Sequence, residues 1–384
     1  MKRSLSLSLV VALLLPFLLF GAQKASAEEY PFDLDAKSAI LMDASTGKVL
    51  YEKNADAALP PASVTKIMTL LLVMEAIESG AVSLTDEASV SEAASKMGGS
   101  QVFLEAGERM SVEELIKCVV IASANDAAYA LAEHIAGSED AFVGRMNERA
   151  RALGMENTHF ENTNGLDDTV TSHLTSARDI AIMSRELLRH PTILKYTTIW
   201  QDTIRDGAFT LTNTNRLVRF YPGATGLKTG STAKALFCIS ATAERDGMHL
   251  IAVVMGAPTR DIRNAEAQKL LDYGFSAYSV YRAEEEPTGT LRVTGGKAAE
   301  VALSKKGISI LLKKGQEKQV SARTVLPKGV AAPIAAGEVV GYVEYTVNGE
   351  SVGRADIVAG GDVERVSYWD LVMRLLLDML GAFR

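Results

Sequence analysis

Two periods of apolar residues alternate along this chain, and the switches between them divide it. "SAILMDASTGKVLYEKN" holds two short apolar runs around a Ser-Thr-Gly turn and predicts a pair of strands. In "PPASVTKIMTLLLVMEAIESG" a nearly unbroken apolar run follows Lys66 and stops at Gly80, which predicts a helix. "SVEELIKCVVIASANDAAYALAEHIAG" has an acidic first turn after Ser111, apolar residues at helical spacing, and a closing Gly137. "EDAFVGRMNERARALG" and "TSARDIAIMSRELLRH" predict two more amphipathic helices, ended by Gly154 and Pro191. Strands return in "ALFCISATAERDGMHLIAVVMGA", where Asp246-Gly247 is a hairpin signal, and "AEAQKLLDYGFSAY" predicts a closing helix. Strands at both ends with helices between them predict an α/β sheet flanked by helices, with a mainly helical subdomain.

After "RAEEEPTG" the helical period disappears. From about Leu291 to Ala359 the chain is rich in Val, Gly and Thr, with a turn at Asn348-Gly349, and predicts a small β-rich domain with a spacing or binding role. The tail "ERVSYWDLVMRLLLDMLGAFR" differs again. Ser367, Asp370, Arg374, Asp378 and Gly381 form a narrow polar stripe, and nearly all the rest is apolar, Tyr368, Trp369 and Phe383 included. That helix is too short and too charged to span a bilayer but suits a membrane interface; docking on its own protein is the alternative.

The opening "MKRSLSLSLVVALLLPFLLFGAQKASA" has two early cations, a long apolar run and small residues at Ala25-Ser26-Ala27. It reads as an export signal, or as an uncleaved anchor; both put the chain beyond Ala27 outside the cytoplasm. The expected organisation is a signal peptide at 1–27, a principal domain at 28–282, a β-rich domain at 283–360 and an amphipathic membrane-anchoring helix at 361–384. A chain of 384 residues accommodates two cores comfortably. Loss of Lys2, Arg3 and Lys24 with the leader takes the net charge from −7 to −10, a balance that disfavours nucleic-acid binding. Cys118 and Cys238 have apolar neighbours and read as buried free thiols rather than a bridge. The histidines show no ligand spacing, so no metal or other cofactor is expected.

Ser63 stands three residues before Lys66. The plain reading makes Ser63 a helix cap after a proline; the other makes it a nucleophile with Lys66 as its base. Ser-x-x-Lys alone arises by chance about once or twice in a chain of this length. Two further stretches change the balance: Ser123-Ala124-Asn125 between helical segments, and Lys228-Thr229-Gly230-Ser231 leading into an apolar strand. The order Ser-x-x-Lys, Ser-x-Asn, Lys-Thr-Gly is that of penicillin-binding proteins and class A β-lactamases.

With these residues the chain resembles the low-molecular-mass penicillin-binding proteins that act as serine-type D-alanyl-D-alanine carboxypeptidases. The resemblance runs from about Ala36 to the C-terminus. Through "MDASTGKVLYEKN" and "NTNRLVRFYPGATGLKTGSTAKA" it is nearest to the sporulation-associated type. It implies a β-lactamase/transpeptidase-like fold and an acyl-enzyme on Ser63, formed from peptidoglycan pentapeptide stems or from β-lactams. Lys66 must then be neutral, which takes about 4 kcal/mol against its charged form; burial and Lys228 both act in that direction. Ser123 relays a proton to the leaving amine, and Asn125 holds the substrate amide and orients Lys66. The resemblance also implies an oxyanion hole from the backbone N–H groups of Ser63 and Ser231, beside Gly230. Thr229, Ser231 and Arg263 meet the terminal carboxylate. One departure is Asn164, where relatives often carry His before Gly-Leu; it is expected beside the site rather than in the chemistry.

Two rival readings remain. A class A β-lactamase needs a Glu-x-x-Leu-Asn element, and Glu161 in "ENTNGL" lacks that Leu-Asn. A non-catalytic penicillin-sensing or wall-binding module would not need all of Ser63, Lys66, Ser123, Asn125, Lys228 and Thr229 intact.

Overall fold

A five-stranded antiparallel sheet is the frame against which the helices pack. The computed structural model describes residues 32–379 and 381; the expected leader at 1–27 and Phe383 lie outside the described residues. Strands β1 (Ser38–Asp43) and β2 (Val49–Lys53) form the predicted hairpin, its turn closed by Asp43 Oδ1 accepting from Thr46 N at 2.8 Å. Late in the sequence come β3 (Ala224–Thr232), β4 (Leu236–Arg245) and β5 (Met248–Ala257), and the spatial order is β2-β1-β5-β4-β3. Asp246 and Gly247, at φ 51° and 74°, make the tight turn between β4 and β5 that a twisted hairpin requires. The chain leaves the sheet after β2 and returns as a meander that pairs with β1 through β5. No crossover between adjacent strands is needed, which is why the sheet is antiparallel although strands and helices alternate in sequence. It also leaves β3 at an edge.

Between β2 and β3 lies the helical part. Helix α1 (Lys66–Glu78) buries Ile67, Met68, Leu70, Leu71, Val73 and Met74, so it is apolar all round and runs through the core. It is preceded by a single 3-10 turn, Ala62–Thr65. Ser63 lies inside that turn and caps nothing; the boundary residue of α1 is Thr65, with no side-chain cap. The cap reading of Ser63 is thereby corrected. Helix α2 (Val112–Lys117) is capped by Ser111 Oγ, which accepts from Glu114 N at 3.2 Å. It passes into a π turn, Cys118–Ala122, and stops at Ser123, which adopts left-handed φ 63°. Helix α3 (Asn125–Ala136) then starts in a new direction and ends at Gly137. Helices α4 (Glu139–Ala152) and α5 (Ala177–Leu188) are capped by Ser138 and Ser176. Helix α6 (Arg260–Ala277) starts earlier than its apolar period indicates, because Thr259 Oγ1 caps it by accepting from Ile262 N at 3.1 Å.

Among the described residues, two apolar clusters matter to the site and to the C-terminal part. Ile40, Ile67, Leu71, Leu131, Phe142 and Val253 belong to the first, which also encloses Cys118; Cys118 and Cys238 are free and buried. The second joins Leu291, Leu303, Ile310, Tyr345 and Ile357 within a six-stranded sheet and a two-stranded ribbon formed by 278–359. Last comes α7 (Tyr368–Met379), opened by a reciprocal cap in which Asp370 accepts from Ser367 N at 2.8 Å and Asp370 N donates to Ser367 Oγ at 3.2 Å.

Candidate active site

The 3-10 turn, the break at Ser123 and the edge strand β3 converge on one cavity of about 180 Å³. Ser63, Ser123, Thr229, Gly230, Ser231 and Arg263 line it, together with Ser100, Thr214 and Arg260. Lys66, Asn125 and Lys228 are buried against the same group, so the nine residues singled out in the sequence come together from five elements and the break at Ser123.

Lys66 is fully buried, and its Nζ lies 3.0 Å from Ser63 Oγ, 2.6 Å from Asn125 Oδ1 and 2.9 Å from the Asn164 carbonyl. Burial first, and then the charge of Lys228, hold its pKa well below the usual lysine range; Asp126 offsets part of this. Lys228 Nζ donates to Ser123 Oγ at 2.8 Å and to the Thr229 carbonyl at 2.9 Å. Burial, followed by the Arg263 guanidinium, pushes Lys228 down to about 7. Arg263 is in turn pushed to about 10 by burial and by Arg260. Four cationic side chains thus follow one another along the cleft. Asp126, the acid that bears on Lys66, is engaged with the backbone N–H groups of Val102 and Leu104, both at 3.1 Å. A cavity with this charge balance favours an anionic ligand.

Gly230 is required by contact. A Cβ there would lie 2.8 Å from both Pro61 O and Ser63 N, so only glycine lets β3 pass flat against the turn that carries Ser63. Ser123 reaches Lys228 because the π turn and its left-handed end redirect the chain. Arg263 reaches the cavity from the first turn of α6, its guanidinium braced by Asn264 Oδ1 at 2.9 Å. It is only 3 % exposed and is not a surface loop residue.

Sequence reasoning missed the walls. Segment 98–100 is clamped to Asn125, whose Nδ2 donates to Gly98 O at 2.6 Å and whose N donates to Ser100 O at 2.7 Å. Thr214 accepts from Thr229 Oγ1 at 2.8 Å. Loop 161–174 grips the Ser63 turn from the other side. His173 Nδ1 accepts from Glu161 N at 3.0 Å, so the ring proton is on Nε2, which donates to Thr65 Oγ1 at 2.8 Å. Thr65 Oγ1 donates onward to Ala62 O at 2.9 Å. Burial pushes His173 to about 4, so the ring stays neutral and this chain of bonds keeps its direction. None of these residues carries a recognisable motif.

Asn164 is closer to the chemistry than its sequence position indicated, but through its carbonyl, which any residue supplies. Glu161 turns to its own loop, with Oε2 accepting from Ser172 N at 2.7 Å. Among the described residues no group of three or more His, Cys, Asp or Glu is placed to hold a metal ion.

The D-alanyl-D-alanine carboxypeptidase family matches residues 22–259, and the C-terminal domain of penicillin-binding protein 5 matches residues 275–365. D-alanyl-D-alanine carboxypeptidase DacF of Bacillus subtilis is 41% identical over 386 residues, covering 98% of this chain and 99% of that one. Penicillin binding protein 5 from Haemophilus influenzae superposes with a TM-score of 0.75 at 33% identity, over 88% of this chain and all (100%) of the other. Penicillin-binding protein D2 from Listeria monocytogenes, solved in an ampicillin-bound form, matches 64% of this chain and 100% of its own with a TM-score of 0.59 and 33% identity.

Proposed function

Since the chain belongs to the D-alanyl-D-alanine carboxypeptidase family, we propose that Ser63 is its nucleophile and Lys66 the base that activates it. The enzyme is a serine-type D-alanyl-D-alanine carboxypeptidase that removes the terminal D-alanine from peptidoglycan pentapeptide stems and binds penicillins at the same cleft. The observation that carries the assignment is the fully buried Lys66 with Nζ 3.0 Å from Ser63 Oγ.

Neutral Lys66 takes the Ser63 hydroxyl proton as Oγ attacks the carbonyl between the last two D-alanines. The developing oxyanion is met by the backbone N–H groups of Ser63 and Ser231, on the turn and on the strand that Gly230 lets pack together. As the C–N bond breaks, Ser123 gives its proton to the leaving amine and regains one from Lys228, 2.8 Å away. Arg263, Thr229 and Ser231 hold the carboxylate, and Asn125 holds the peptide amide and Lys66. Once the proton that Lys66 took from Ser63 has passed on through Ser123 to restore Lys228, Lys66 is neutral again; it takes a proton from the water that attacks the ester and returns it to Ser63 Oγ as the shortened stem leaves. A β-lactam offers the same amide and carboxylate and acylates the same oxygen.

The leader at 1–27, the catalytic part at 28–282, the β-rich part at 283–360 as a spacer and the tail at 361–384 complete the reading: an exported enzyme held at the outer face of the membrane. Its tail supports this, because Tyr368, Trp369 and Met379 are 74%, 71% and 82% exposed rather than docked on the protein. Among the described residues no helix is long and apolar enough to cross a membrane. The two stretches of sporulation-associated type support a role in sporulation.

The test is D-alanine release from a D-alanyl-D-alanine peptide, with intact mass after penicillin. Wild type should release D-alanine and gain one adduct. Ser63→Ala should do neither while remaining folded, and an adduct on that variant would remove Ser63 from its role.

A further inference from the structure

Between Asp206 and Glu244 the sequence has no acidic residue, while Arg216 and Arg219 flank "LV" just before Phe220. The one-turn helix Leu217–Phe220 brings these residues against Trp200. The guanidinium carbon of Arg219 lies 5.4 Å from the Trp200 ring centre and 5.7 Å from that of Phe220. That of Arg216 lies 5.6 Å from the Phe220 ring, and the two rings meet edge-on at 6.1 Å. Both arginines are exposed, and Phe220 is 59% exposed. Asp202, the acid just beyond Trp200 in sequence, is paired with Lys117 at 2.9 Å, and among the described residues neither arginine has a carboxylate partner.

Stacking on a ring fixes the guanidinium plane and leaves its N–H edge to solvent, the arrangement that receives a carboxylate on two parallel bonds. The patch is also rigidly continuous with the cleft. Asn215 Nδ2 donates to Gly226 O on β3 at 2.9 Å, and Thr214, which lines the cavity, donates its N–H to Ile121 O at 3.1 Å and accepts from Thr229. A substrate lying along the edge strand β3 therefore passes towards these two cations.

We propose that Trp200, Arg216, Arg219 and Phe220 form a docking surface for the carboxylates of neighbouring stem peptides on polymeric peptidoglycan. This rests on the carboxypeptidase reading and extends it from the scissile peptide to the polymer that carries it. Two exposed cations beside the cleft, neither with a carboxylate partner, supply charge complementary to those carboxylates. A second point of attachment raises the effective concentration of the scissile stem without altering the chemistry.

The experiment compares Arg216→Gln/Arg219→Gln with wild type on a short soluble D-alanyl-D-alanine peptide and on purified sacculi stripped of phosphate polymers. Release from sacculi should fall about tenfold while the short peptide is cut at the wild-type rate, and the difference should shrink as salt rises. The variant Arg216→Lys/Arg219→Lys keeps the charge but not the planar fork and should recover part of the loss. Cosedimentation with sacculi in a Ser63→Ala background reads docking independently of hydrolysis, and thermal unfolding checks that each variant is folded. Equal activity on sacculi, a parallel loss on both substrates, or a binding loss confined to walls that retain phosphate polymer would each overturn the proposal. If wild type cuts neither substrate, the carboxypeptidase reading fails, and cosedimentation still decides the docking surface.

Discussion

At the scale of single residues the site is a chain of cations arranged so that one lysine can be neutral. Lys66 must lose its proton to act, and burial and Lys228 both favour that loss. Acylation should therefore rise as pH increases through the lowered Lys66 pKa. It should fall again around pH 7, where Lys228 loses the proton that Ser123 passes on. Lys228→Met removes one positive neighbour, so the Lys66 pKa rises, the acid limb of the acylation profile moves to higher pH and the alkaline limb disappears. Penicillin acylation rates across pH read both limbs; an unmoved acid limb would contradict the coupling. Arg263 acts on the ligand instead. A charge-assisted hydrogen bond is worth about 1.5–3 kcal/mol, so Arg263→Ala should lower peptide turnover roughly ten- to hundredfold. Penicillin, which also carries a carboxylate, should still acylate Ser63, more slowly. Steady-state kinetics on the peptide beside the adduct rate separates the two effects.

At the scale of elements, the reactive turn is held between β3 on one side and loop 161–174 on the other. Gly230 and Gly165 are the two points of closest approach. At Gly165, φ is 85° and a Cβ would fall 1.8 Å from Ala62 O, a backbone atom that cannot swing aside. Gly165→Ala must therefore push the loop away from the turn, taking the Asn164 carbonyl from Lys66. Overpacking of this kind costs about 1–3 kcal/mol, and strain at positive φ adds to it. A lowered unfolding midpoint together with slower penicillin acylation is expected. A variant that loses stability but acylates at the wild-type rate would show that the loop only packs. These contacts were not legible in the sequence, because a glycine before Leu-Asp looks the same whether it faces solvent or another backbone.

At the scale of the whole molecule, the question is which part of the tail can be removed without damage. Val363 is in the second core, Lys297 N donates to Glu364 O at 2.8 Å, and Val366 N donates to Gly295 O at 2.9 Å. A truncation beginning at Glu364 would open that β-rich part, whereas one beginning at Tyr368 removes only α7. Deletion from Tyr368 onward should release the protein from membranes and leave turnover of soluble peptides unchanged. Fractionation and a D-alanine assay check it, and a truncated protein that still sediments with membranes would relieve the tail of that role.

By itself the sequence determined the helices and strands with a clean period and the three short motifs to which the chemistry is assigned. Those features depend on local spacing: Ser63 and Lys66 are three residues apart, and Lys228, Thr229 and Gly230 are contiguous. Tertiary structure alone decided that Ser63 sits in a 3-10 turn rather than at a cap, and that the sheet is antiparallel with β3 at its edge. It alone placed Arg263 in the first turn of a helix, facing the cavity. It also decided the depression of Lys66 and Lys228, since a lysine is shifted by what surrounds it in space: burial, Lys228 lying 162 positions from Lys66 by number, and Arg263 on another element. The resemblance could imply a neutral Lys66, but burial and electrostatic fields are sums over neighbours that the chain brings together only when folded, so residue order alone does not contain them.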